Sequence, residues 1–141
     1  MTALQLQDEP SIHTALPIRV FMVDDNPRFL KVVSQFLATD PQLKVVGMAL
    51  SGHEAPEQIA VLQPDLVLMD VALPDINGLE LTRHLKKQSE PLRIVILTSH
   101  DDPEYRLAAQ QVRADGFVAK ADLVEQLRPL IYRLFNLAGG V

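Results

Sequence analysis

The chain of 141 residues, 48% of them apolar, is long enough for one domain with a full core and too short for two comfortable ones. It has no cysteine, which excludes a disulfide scaffold and thiol chemistry and suits the cytoplasm. The net charge of −5 argues against direct nucleic-acid binding, and no apolar run reaches the roughly 18 to 20 residues of a membrane helix.

Residues 1–16 lack the basic start and apolar block of a secretory signal and read as a flexible tail, followed by one domain over 17–138. "IRVFMV" (18–23) reads as a strand that stops at Asp24 and Asp25. Asn26 and Pro27 then open a helix, because proline at the first helical position loses no hydrogen bond. Phe29, Leu30, Val32, Val33, Phe36 and Leu37 recur at helical spacing up to Ala38. "TDPQ" is a turn and "LKVVGMA" a second strand. A helix follows over 54–62, with Ser51 and Glu54 spaced as a capping box; Pro56 predicts a distorted or late first turn. "DLVLMD" (65–70) is a third strand, and its unbroken apolar run predicts burial on both faces of a parallel sheet.

"GLELTRHLKKQ" (78–88) reads as a helix whose charges form its wet face. A strand over 93–99 precedes a helix over 102–112 opened by Asp102 and Pro103, and "GFVAK" (116–120) is a short last strand. Asp122 begins the final helix, with Glu125 three residues on; Pro129 should kink it. Five strand–helix units in this order predict an α/β fold with a doubly wound, five-stranded parallel sheet and five helices. Residues 139–141 read as the chain's end or a truncated linker, and the chain stops at "NLAGGV" without a further module. It is therefore read either as a stand-alone domain or as one cut at a linker.

In such sheets the functional crevice lies outside the carboxyl ends of the strands. Asp24, Asp25, Asp70, Thr98 and Lys120 all fall there. At about 4 Å and an effective dielectric near 20, each pair of carboxylates repels by about 4 kcal/mol. A divalent cation with oxygen ligands offsets that, Mg²⁺ being the usual choice, and Lys120 adds a second positive charge. The set reads as a phosphoryl-handling pocket: Asp70 as acceptor, Thr98 and Lys120 holding phosphoryl oxygens.

"FMVDDNP", "LVLMDVALPDINGLEL", "VILTSHDD" and "GFVAKAD" together resemble the response-regulator receiver domain of two-component signalling, over about residues 17–137. Within it they look most like the NarL/FixJ branch, which usually carries a helix-turn-helix output domain and serves transcription regulation. The resemblance implies a flavodoxin-like fold with strand order 2-1-3-4-5. It makes Asp70 the phosphoacceptor, with Asp25 and Asp70 ligating Mg²⁺ directly, Asp24 through water, and the backbone carbonyl of Ala72 as a further ligand. Thr98 becomes the switch hydroxyl and Phe117 the switch aromatic, although Phe117 also reads as plain core. Lys120 contacts the phosphoryl group, while Pro74 and Gly78 shape the loop after the acceptor. Ala121 stands where many relatives carry proline, so a trans bond after Lys120 is expected.

The function implied is a cytoplasmic, regulatory phosphoacceptor rather than an enzyme. A sensor histidine kinase or histidine phosphotransfer protein donates the phosphoryl group. The face of the last two helices and last strand then engages a partner, or a second copy in a homodimer. Two rivals are a phosphorylation-independent interaction module and an aspartyl phosphatase, the latter disfavoured because Ala72 is not acidic. Ala72 and His100, two residues beyond Asp70 and Thr98, are the positions implied to tune acyl-phosphate hydrolysis. His100→Ala should therefore change the rate of acyl-phosphate loss in a dephosphorylation time course, and an unchanged rate would contradict that role.

Overall fold

The computed structural model describes residues 16–89, 91–99 and 102–137. The expectations of a tail over 1–16, beyond Leu16 itself, and of an end or linker over 139–141 lie outside the described residues, as does His100. Strands β1 (Ile18–Val23), β2 (Leu43–Ala49), β3 (Leu66–Asp70), β4 (Arg93–Thr98) and β5 (Gly116–Ala119) alternate with helices. These are α1 (Pro27–Ala38), α2 (Ala55–Leu62), α3 (Gly78–Gln88), α4 (Pro103–Gln111) and α5 (Leu123–Leu134). The strands pair in parallel in the order β2-β1-β3-β4-β5, the doubly wound topology expected.

Successive strand residues point to opposite faces, so the apolar runs split into two cores. Phe21, Val23, Val67, Met69, Ile94 and Ile96 face α2, α3 and α4, meeting Ile59, Leu79, Leu85 and Ala109. Val20, Met22, Leu66, Leu68, Val95 and Leu97 face α1 and α5, meeting Leu30, Leu37, Leu127 and Ile131. Every residue of β3 is buried, which explains why its sequence shows no polar alternation.

Local signals hold with corrections. The Asn26 side chain caps α1 by accepting from the amides of Arg28 and Phe29 at 3.0 and 3.2 Å. α2 starts at Ala55, not Glu54, so Pro56 occupies the first turn, where its missing N–H is harmless. The carboxylates of Asp102 and Asp122 make no cap hydrogen bond to α4 or α5. Residues Lys120–Asp122 form a short 3₁₀ turn, so α5 begins at Leu123 instead of Asp122 and runs continuously through Pro129. No described peptide bond is cis, including Lys120–Ala121.

At the amino ends of the strands, buried Asp40 accepts from the Tyr132 hydroxyl at 2.5 Å and from the Gln42 amide at 2.9 Å. That bond ties the α1–β2 turn to α5 and satisfies a carboxylate that burial would otherwise penalise. Leu127 is completely buried, whereas Val124 on the same helix is 71% exposed. Denaturant unfolding should show Leu127→Ala losing about 2–5 kcal/mol and Val124→Ala changing by no more than about 0.5 kcal/mol.

Candidate functional site

The parallel register of β1 and β3 pairs Val23 with Met69, so the next residues, Asp24 and Asp70, reach the carboxyl edge of the sheet side by side. Asp24, Asp25 and Asp70 each offer a carboxylate oxygen, and these oxygens lie within 4.8 Å of one another. Asp24 and Asp70 are buried, while Asp25 is exposed. Asp24 is oriented from two sides. Its Oδ1 accepts from the Asn26 amide at 2.9 Å, and its Oδ2 accepts from Lys120 Nζ at 2.7 Å.

Lys120 follows Ala119, which pairs with Thr98 at the end of β4. Its ammonium lies 3.8 Å from Asp70 Oδ1, too long for a hydrogen bond, and 4.2 Å from the centre of the Phe29 ring. Lys120 thus belongs first to Asp24 and only second to Asp70. The sequence places Lys120 at the right edge but carries no sign of the Asp24 bond or of Phe29 as its floor, since 96 positions separate the ion pair. Burial, then the charge of Asp24, pushes the Asp70 carboxyl up from 3.8 to about 6, against the opposing pull of Lys120 and the Ala72 amide.

The loop after Asp70 is built on a close approach. A Cβ on Gly78 would lie 1.9 Å from the Asp70 carbonyl oxygen, so only glycine lets α3 begin against that backbone. The Gly78 amide donates to the Val71 carbonyl at 2.9 Å, and Asn77 Oδ1 accepts from the Leu79 amide at 2.8 Å. Ala72 is exposed in this loop, bridged to Asn77. Asp75 accepts from the amides of Gly52 and His53 at 3.0 and 2.7 Å, tying this loop to the one after β2. Nothing in the sequence marks that clamp, because its partners stand 22 and 23 residues apart.

Thr98 ends β4 fully buried, on the face continued from Ile94 and Ile96. Phe117 pairs with Ile96, is half-buried on that same face, and carries the Arg106 guanidinium 4.6 Å from its ring centre. The two candidate switch residues therefore share one side of the sheet, two ladder positions apart.

The donor set suits a hard divalent cation. Three carboxylates converge with only Lys120 among the described side chains to offset them, and oxygen donors with no sulfur or imidazole favour Mg²⁺ over softer metals.

The profile for the response regulator receiver domain matches residues 20–131. A protein-glutamate methylesterase/protein-glutamine glutaminase of Geobacillus kaustophilus is 43% identical over 104 residues, covering 73% of this chain and 30% of that protein. The DNA-binding transcriptional activator DevR/DosR of Mycobacterium tuberculosis is 41% identical over 103 residues, covering 73% of this chain and 48% of that one. The similarity thus spans less than half of either relative's length. Among solved structures, the signal receiver domain of the response regulator NarL from Mycobacterium tuberculosis aligns with a TM-score of 0.73 at 29% identity, covering 80% of this chain and 94% of that one.

Millimolar Mg²⁺ should raise the melting temperature, and Asp25→Asn should lose most of that rise; equal responses would contradict the cation site. In chelating buffer the sign for Asp70 is destabilising. Its folded pKa is raised, so its contribution is favourable below about pH 4 and is lost as pH climbs through about 6. Asp70→Asn should therefore gain in melting temperature over the parent between pH 4 and pH 7, and a constant difference would contradict this.

Proposed function

This chain belongs to the response regulator receiver domain family, with transcriptional regulators among its relatives, and on that premise we propose that Asp70 accepts a phosphoryl group from a sensor histidine kinase or histidine phosphotransfer protein. An Asp70 oxygen attacks phosphorus, the P–N bond of the donor phosphohistidine breaks, and its electron pair returns to the imidazole nitrogen. An acyl phosphate remains on Asp70. Asp24, Asp25, Asp70 and the backbone carbonyl of Ala72 are the groups that would hold Mg²⁺, which when bound neutralises the approach of two anions.

The observation that carries this reading is Lys120, bonded to Asp24 at 2.7 Å and standing 3.8 Å from Asp70. A short swing of the ammonium brings it to a phosphoryl oxygen on Asp70, exchanging one anionic partner for a stronger one. The Thr98 hydroxyl donates to the same group. Phe117 turns into the space Thr98 leaves, giving up its contact with Arg106 and repacking the face of α4, β5 and α5. That face binds a partner or a second copy of the chain. The chain acts as a cytoplasmic regulatory element, not as an enzyme on other substrates. Among the described residues, no helix is long and apolar enough to cross a membrane.

Incubation with Mg²⁺ and acetyl phosphate should add one phosphoryl group by intact mass, and Asp70→Asn should abolish it. Beryllofluoride should perturb the amide spectrum around Thr98 and Phe117. Continuous release of inorganic phosphate from small esters would identify a phosphatase instead. Indifference to both reagents would identify a phosphorylation-independent module.

A further inference from the structure

The opposite end of the same sheet carries a basic concavity of about 990 Å³, between the end of α3, the start of β4 and the turn after α4. Among the described residues its lining includes Arg83, Lys86, Lys87, Arg93 and Arg113, with Asp115 as the acid among them. Five of the chain's 13 Lys and Arg residues therefore meet at one place in a protein of net charge −5. The pattern "RHLKKQ" reads from sequence as a solvated helix face, and the fold instead gathers its cations with those of two other elements.

Asp115 offsets only one of these five charges. It accepts from the Ile94 amide at 2.8 Å and pairs with Lys86 at 3.0 Å and Arg93 at 3.5 Å, so it is spent in fixing the floor. Lys86 also donates to the Leu92 carbonyl at 2.8 Å. Arg83 has a 3.6 Å pair with Glu80, in which both side chains are half exposed and the attraction is weak. Lys87 has no acidic partner among the described residues.

A second observation comes from the backbone. Arg113 follows the end of α4 with φ of +67°, the left-handed conformation that glycine adopts more cheaply at this cap. An arginine held there puts a guanidinium at the rim at some cost to the turn.

We propose that this concavity docks a short acidic segment of a partner protein, glutamate side chains entering among Arg83, Lys87, Arg93 and Arg113. Charge complementarity selects the occupant. The lining already holds one carboxylate, that of Asp115, and exposed Pro91 offers apolar surface to the methylenes of a glutamate. An extended polyanion such as duplex DNA reaches beyond the patch and meets the protein's overall negative charge, whereas a few acidic residues fit within the basic rim. β4 runs from Arg93 in this site to Thr98 beside Asp70, five residues and about 16 Å away. A partner docked here leaves the acid cluster open.

The test is an amide-resolved NMR titration of the whole chain with an octaglutamate peptide at physiological ionic strength. Shifts should localise to residues 83–87, 91–94 and 111–115. The double variant Arg83→Glu/Arg113→Glu should weaken binding at least tenfold. Lys44→Glu/Arg133→Glu, an equal charge change elsewhere on the surface, should leave binding within twofold. Arg113→Gly, which suits the turn, should fold with an undiminished melting temperature and still bind less tightly. Dispersed shifts, equal losses in both double variants, or tighter binding of a DNA duplex at this patch would overturn the proposal.

Discussion

Repulsion among Asp24, Asp25 and Asp70 is the constraint around which this molecule is arranged. Their oxygens lie within 4.8 Å, and at such distances like charges oppose one another by a few kcal/mol per pair near a protein surface. Flexible segments would relax that repulsion by moving apart. These acids remain together because they sit at the carboxyl ends of two adjacent, largely buried strands, Asp24 and Asp25 just past β1 and Asp70 as the last residue of β3, and the strands cannot shift without opening two apolar cores. Hydrophobic burial holds in place a cluster that electrostatics disfavours. What relieves it locally is Lys120, brought over the strand ends from the far side of the sheet.

The loops carry the rest of the load. Gly78 lets α3 start against the Asp70 backbone, Asn77 caps that helix, and Asp75 ties the loop to its neighbour after β2. Asp24 is braced by the Asn26 amide, and Asn26 in turn caps α1. Asp24 and the Asp70 backbone are therefore each fixed through a helix start, which gives the cluster a rigid base, while Lys120 is the long side chain able to change partners.

The strands and helices were legible in sequence because both cores demand long apolar runs and because Asn26–Pro27, Gly78 and Asp102–Pro103 punctuate them. The site's edge was legible for the same reason: a charged residue that halts a buried run must emerge at a strand end. What stayed hidden lies between segments. The Lys120–Asp24 bond, the Phe29 ring beneath that ammonium, and the Asp75 clamp join positions 22 to 96 residues apart. Caps were legible as positions but not as bonds, as Asp102 and Asp122 show. The late start of α2 follows from proline, whereas the 3₁₀ turn over Lys120–Asp122 has no such marker. The basic concavity was hidden likewise, since its cations come from three elements that only the fold brings together.

The two ends of the sheet thus have opposite electrostatic character, acids at the carboxyl edge and cations at the amino edge beneath α3 and α4. The convergence of the three acids on one cation is tested most directly by paramagnetic broadening with Mn²⁺, an oxygen-seeking ion of the same charge as Mg²⁺. Substoichiometric Mn²⁺ should first erase the amide signals of residues 24–26 and 70–72, and excess Mg²⁺ should restore them. Broadening centred elsewhere, with those signals left sharp, would contradict the convergence.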